Sequence, residues 1–208
     1  MTVQDHYEEY WRRASPPPLG DPLTAARLGL LRDELARVEA RRVLDVGCGT
    51  GGLVGALAAD GLDAMGIDIS SEAIDRAEGS HQGCTFVVHS IEDVPWPIEE
   101  GSFDVVVAFE LIEHLIRPRR LLEGARIALA PGGHLAVSTP YHGLLKNLAL
   151  ALLAFERHFA VEGDHIRFFT DGGLQRLLEE TGFRVERISH LGRFWGVWAG
   201  SFVWARKM

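Results

Sequence analysis

The chain has 208 residues, 47% hydrophobic and 24% charged, with a formal net charge of −8. That suffices for one compact core and excludes disordered, collagen-like and membrane-spanning classes, since no apolar run reaches the ~18 residues of a span. The acidic balance argues against general nucleic-acid binding, and the two cysteines, Cys48 and Cys84, make neither a disulfide framework nor a zinc-ligand spacing.

The polar, acidic N-terminus does not read as a secretory signal, so a cytoplasmic domain is expected. Residues 4–14 form a short helix, stopped at Ser15-Pro16-Pro17-Pro18. Residues 22–40 carry Leu23, Ala26, Leu30, Leu31, Leu35 and Val38 at helical spacing, with Asp21 as N-cap. Strands follow at 42–46, 62–68, 85–89, 103–109 and 134–139. Helices alternate with them at 51–60, after Ser70 or Ser71, and at 118–129. Short apolar strands alternating with helices predict a parallel sheet covered on both faces. Beyond Pro140 the pattern breaks. Residues 143–155 are apolar and helix-forming, Thr170 caps a helix stopped by Gly182, and 183–190 and 193–206 read as two last strands.

Between the first strand and its helix lies Asp45-Val46-Gly47-Cys48-Gly49-Thr50-Gly51-Gly52. Glycines there let the backbone turn sharply and let a ligand approach the main chain. Gly47, Gly49 and Gly52 satisfy G-x-G-x-x-G, which admits a nicotinamide cofactor; a bare tight turn is the plainer alternative. Asp68 ends the second strand, where a carboxylate accepts from ribose hydroxyls of either cofactor class.

The acidic residue two places before Gly47 and the compact Gly-Cys-Gly-Thr-Gly discriminate. With Gly66-Ile67-Asp68-Ile69, Ser102-Phe103-Asp104-Val105-Val106 and Leu129-Ala130-Pro131-Gly132-Gly133, the chain resembles class I S-adenosylmethionine-dependent methyltransferases over about residues 40–190. The resemblance implies an α/β, doubly wound, seven-stranded, mostly parallel sheet of order 3-2-1-4-5-7-6, with strand 7 antiparallel and helices on both faces. It also implies one domain over 1–208: a helical cap at 1–40, a cofactor core at 41–140, a helical insertion over the acceptor pocket at 141–169, and a closing helix and strands at 170–208. Residue by residue, Gly47, Cys48, Gly49 and Gly51 pass under the methionine end of S-adenosylmethionine, and Asp45 lies near the ammonium. Asp68 holds the ribose and Ile69 lies on the adenine. Where the family often has an adenine-binding aspartate, this chain has Ser90-Ile91-Glu92; side chain or backbone there meets the adenine amine. Phe109 completes the cofactor set.

Phe109-Glu110-Leu111-Ile112-Glu113-His114-Leu115 follows the fourth strand, at the ligand crevice of an open sheet. The bland reading is loop and helix capping. The Glu-x-x-Glu-His spacing resembles ubiquinone-pathway O-methyltransferases and, more loosely, small-RNA 2′-O-methyltransferases. In both it is associated with a divalent metal, and Asp164-His165-Ile166-Arg167-Phe168 resembles their later His-x-x-Phe segment. The expected catalytic residues are His114, Glu113 and Glu110, and Mg²⁺, Mn²⁺ or Zn²⁺ would take Glu110, Glu113, His114 and His165 as ligands. The acceptor is expected to be a small hydroxylated, apolar molecule rather than RNA, because only Lys146 and Lys207 supply lysine charge. The apolar stretch 143–159 is expected to cap that acceptor, and peripheral membrane contact or a homodimer interface are its other readings. Trp195, Trp198 and Trp204 are expected to pack on the last strands. His6, Tyr7, Tyr10 and Trp11 either close over the cofactor or pack their helix. N-methylation or RNA 2′-O-methylation, and a non-catalytic cofactor-binding regulatory subunit, are the alternatives in function.

Overall fold

The computed structural model describes residues 2–14, 21–153, 166–192 and 198–208, without the side chain of Ala149. The strands are β1 Arg42–Val46, β2 Asp63–Asp68, β3 Thr85–Val88, β4 Phe103–Phe109, β5 Leu129–Pro140, β6 Phe183–Leu191 and β7 Gly200–Lys207. The helices are α1 Val3–Arg13, α2 Pro22–Arg37, α3 Gly52–Ala59, α4 Ser71–Ser80, α5 Pro118–Ala128, α6 Leu144–Leu153 and, as α7, Asp171–Glu180. A single 3₁₀ turn, Ile112–His114, follows β4.

One seven-stranded sheet runs β3-β2-β1-β4-β5-β7-β6. Strands β1 to β5 pair in parallel, and β7 is antiparallel to both β5 and β6. This is the expected order and polarity. Each central strand alternates between two cores. Val43, Val105, Val107 and Ala136 meet Leu28, Leu31 and Leu35 of α2, Val54 and Leu57 of α3, and Ile74 of α4. Leu44, Val106, Ala108 and Leu135 meet Leu121, Leu122 and Ala125 of α5 and Leu174 and Leu178 of α7. Both faces are therefore covered, which is why the strands read as unbroken apolar runs.

Caps sit where predicted. The Asp21 carboxylate accepts from Thr24 N–H, Ser70 Oγ from Ala73 N–H, and Thr170 Oγ1 from Gly173 N–H. Three bounds differ by three residues or more. α2 ends at Arg37, before Glu39 at φ 52°. β5 begins at Leu129: Phe103 pairs with Leu129 and Val105 with His134, and the extra residues bulge through Gly132 at φ 74°. β7 starts at Gly200, and of the predicted strand 193–206, residues 193–197 lie outside the described residues. Trp204 is fully buried and stacked on His134; Trp198 stacks on His190; Trp195 lies outside. Among the described residues, no helix is long and apolar enough to cross a membrane.

The carboxyl ends of β1, β2, β3, β4 and β5 share one edge of the sheet. Pro140 pairs with Gly200 and Gly200 with Leu191, so the start of β7 and the end of β6 lie there too. The reversal of strand order between β1 and β4 makes that edge a ligand crevice.

Candidate active site

The crevice has two halves. The first is the turn after β1. Gly47 and Cys48 N–H both donate to Ile67 carbonyl, 2.8 and 3.0 Å away, so the turn hangs on β2. Gly47, Gly49 and Gly51 have φ of 74°, 51° and 76°, a region that L side chains rarely adopt. Close approach adds to this: a Cβ at Gly49 would lie 2.6 Å from the Trp11 ring, and one at Gly47 2.9 Å from Leu111. Cys48 is buried, with its sulfur tight against Gly66 of β2.

Asp68 accepts from Gly49 N–H at 2.9 Å and Ser70 N–H at 3.0 Å. Burial nonetheless raises its pKa. Asp45 is also buried, and burial together with the charge of Asp68 pushes it up to about 8. Two carboxylates confined beside a glycine-lined turn suit a ligand that brings hydroxyl donors and positive charge. S-adenosylmethionine has both, so the residues present fit it.

Ile69 is half-exposed at the end of β2. Past β3, Ser90 is half-buried and Ile91 is buried, its carbonyl accepting from Trp96 Nε1. Glu92 accepts from Arg117 N–H at 3.0 Å and Arg117 Nε at 2.9 Å. Burial would raise its pKa, but these bonds hold it below the usual range. Its carboxylate ties the β3 loop to the start of α5.

The second half lies at the end of β4. Phe109 packs on Phe202, with the Arg27 guanidinium 5.6 Å above its ring. Glu110 has φ 48°, accepts from Ser138 Oγ at 2.9 Å, and pairs with Arg27 at 3.1 Å. Glu113 is 1% exposed, and neither carboxylate oxygen has a hydrogen-bond partner. Burial and the Glu110 charge push it up to about 8, against the opposing effects of Thr139 and Arg27. His114 Nε2 stands 4.0 Å from Glu113 Oε1. Lys146 of α6 reaches toward this cluster, its pKa lowered by burial against the opposing charge of Glu110.

The 3₁₀ turn is clamped from outside. Ile166 and Arg167 N–H both donate to Glu113 carbonyl at 3.1 Å, while the Arg167 guanidinium donates to Leu115 and Ile116 carbonyls. Three carbonyls around His114 are thereby fixed by one short segment.

The structure thus brings Glu110, Glu113 and His114 together. His165, the fourth expected metal ligand, lies outside the described residues. Among those described, no three His, Cys, Asp or Glu side chains form a metal-holding group, and Glu110 already has a cation, Arg27. The described residues alone do not fit a divalent metal. Arg27, Glu8 and Arg167 were not singled out in sequence. A signal existed for Arg27: with Glu34 it falls in the apolar stripe of α2, and both are largely buried.

Residues 22–188 match the family described as "Methyltransferase domain". The ubiquinone biosynthesis O-methyltransferase of Cupriavidus pinatubonensis is 34% identical over 141 residues, 66% of this chain and 54% of that protein. That of Burkholderia pseudomallei is 30% identical over 178 residues, 82% of this chain and 75% of that protein. The chain therefore spans between about half and three quarters of these curated relatives. Magnesium protoporphyrin IX methyltransferase of Synechocystis PCC 6803, solved with bound SAH, superposes with a TM-score of 0.71 at 17% identity, covering 99% of this chain and 98% of that one. The chain belongs to the methyltransferase domain family, among the S-adenosylmethionine-dependent enzymes.

Proposed function

We propose that this protein transfers the methyl group of S-adenosylmethionine to a hydroxyl oxygen of a small, apolar acceptor. One observation carries the proposal: a buried carboxyl, Glu113, without a hydrogen-bond partner, stands 4.0 Å from a histidine nitrogen at the end of β4. When bound, the cofactor supplies an electrophilic methyl on a sulfonium; the residues must align the acceptor and remove its proton. His114 is the base, its ring nitrogen standing at the end of β4 beside the Glu113 carboxyl. Burial keeps Glu113 protonated up to about 8, and its carboxyl beside the ring orients the imidazole. Arg27 and Ser138 keep Glu110 in place, so that its charge raises the proton affinity of Glu113. Asp68 takes the ribose hydroxyls, Asp45 faces the ammonium end, and Ser90 and the Ile91 backbone border the adenine.

Two things support an apolar acceptor. The relatives are named as ubiquinone biosynthesis O-methyltransferases. In α6, Leu144, Leu145, Leu148, Leu152 and Leu153 are all more than half exposed. That surface suits a hydrophobic acceptor, and membrane contact or self-pairing would use it too.

The test supplies methyl-labelled cofactor and a panel of catechols and phenols bearing alkyl chains of increasing length. Label on a phenolic oxygen, with turnover rising with chain length, supports the proposal. Label on nitrogen or RNA, or none with wild-type cofactor binding, overturns it.

A further inference from the structure

α1 buries none of its residues, yet it is fastened at several points. The Glu8 carboxylate accepts from Ser70 Oγ at 2.8 Å, Ser71 N–H at 2.8 Å, Ser71 Oγ at 3.0 Å and Glu72 N–H at 3.0 Å. It therefore closes the N-terminus of α4, where helix dipole and unpaired amides favour an anion. Burial would raise its pKa; these bonds hold it down to about 2. From α4, Arg76 donates back to the carbonyls of Ala14 at 3.3 Å and Arg12 at 3.5 Å. Between these anchors the Trp11 ring lies against Gly49.

The anchoring points are the two loops that form the cofactor crevice. Gly49 and Ser70 are the residues whose N–H groups hold Asp68. One carboxylate thus fastens α1 to the ribose side of the crevice while one indole leans on the methionine side. The fastening is polar and partly exposed, and α1 buries none of its residues, so its release would leave both cores intact.

We propose that Glu8 is a positioning residue for the cofactor: it latches α1 across the crevice so that Trp11 walls the methionine end, and the cofactor exchanges only when the latch opens. This rests on the S-adenosylmethionine reading of the crevice.

Stopped-flow release of S-adenosylhomocysteine from the full chain tests it. Glu8→Ala should release the ligand about tenfold faster or more, as expected for loss of several charge-assisted hydrogen bonds. Glu8→Gln should fall between, Trp11→Ala should also speed release, and Trp11→Phe should stay near wild type. Hydrogen exchange on ligand-free protein provides a second readout: Glu8→Ala should expose residues 3–13 and leave the strands protected. Wild-type release from Glu8→Ala overturns the gate, and wild-type protection of α1 in that variant overturns the latch. If wild-type protein binds no S-adenosylhomocysteine, the cofactor reading fails, while the exchange result still judges the latch.

Discussion

The two halves of the crevice are built differently. The half after β1 is backbone geometry on buried strands: positive-φ glycines, amides donating to Asp68, and a turn hung on Ile67. The half at the end of β4 is side-chain chemistry. It consists of an ion pair, a buried carboxyl without a partner, a histidine, and a helix presenting exposed leucines. Backbone geometry constrains a shape tightly and suits a ligand that never changes. Side chains can be exchanged without disturbing the sheet, so the second half can be retuned to a different acceptor.

That contrast predicts separable defects. The largest concerns Asp68. Asp68→Asn should weaken S-adenosylhomocysteine binding by about 1.5–3 kcal/mol for each charge-assisted bond weakened, read by calorimetry. Unchanged affinity would break the division. His114→Ala should cost about 10²–10⁴ in turnover and leave cofactor affinity intact, measured on the same preparation.

The third concerns pH. Folded Glu113 keeps its proton to about 8, against an ordinary value of 4.5. The folded state therefore binds the extra proton in between. Its contribution to stability is greatest below about pH 4.5 and is lost as pH rises through about 8. Glu113→Gln should remove that loss, gaining about 2–4 kcal/mol near pH 8–9 and little at pH 4, measured by denaturant titration at both values. A gain independent of pH would mean that the carboxyl is already ionised.

Arg167→Ala should lower turnover about tenfold, the equivalent of one neutral hydrogen-bonded contact, with cofactor affinity unchanged and Arg167→Lys intermediate. The smallest effect is expected from chelation. Because Arg27 already supplies positive charge beside Glu110, exhaustive treatment with a chelator should leave turnover unchanged. Loss of activity restored by Mg²⁺, Mn²⁺ or Zn²⁺ would reinstate the metal.

The same contrast explains what was legible in the sequence. Gly47-Cys48-Gly49-Thr50-Gly51 and Asp68 follow a local rule, strand–turn–helix, so a few adjacent residues carry the information. The sheet order came with them through the resemblance. Glu110, Glu113 and His114 were visible because they share five residues. Their partners were not, since Arg27, Ser138 and Arg167 come from α2, β5 and the segment before α7, joined only by the tertiary fold. Glu8 was missed for another reason: it lies on the polar surface of a helix without a buried face, where a glutamate ordinarily meets only water.

The position of β7 has a consequence for how the protein is made. Among the described residues it follows the other six strands in sequence but lies inside the sheet, between β5 and β6, and its Phe202, Val203, Trp204 and Ala205 are completely buried. A ribosome delivers β1 to β6 before the strand that joins β6 to the rest. Until β7 emerges, β5 presents an unpaired edge, and Val137 and Leu135 lack their final neighbours. Nascent chains stalled before Gly200 should therefore be sticky and protease-sensitive, and the sheet closes in one late step.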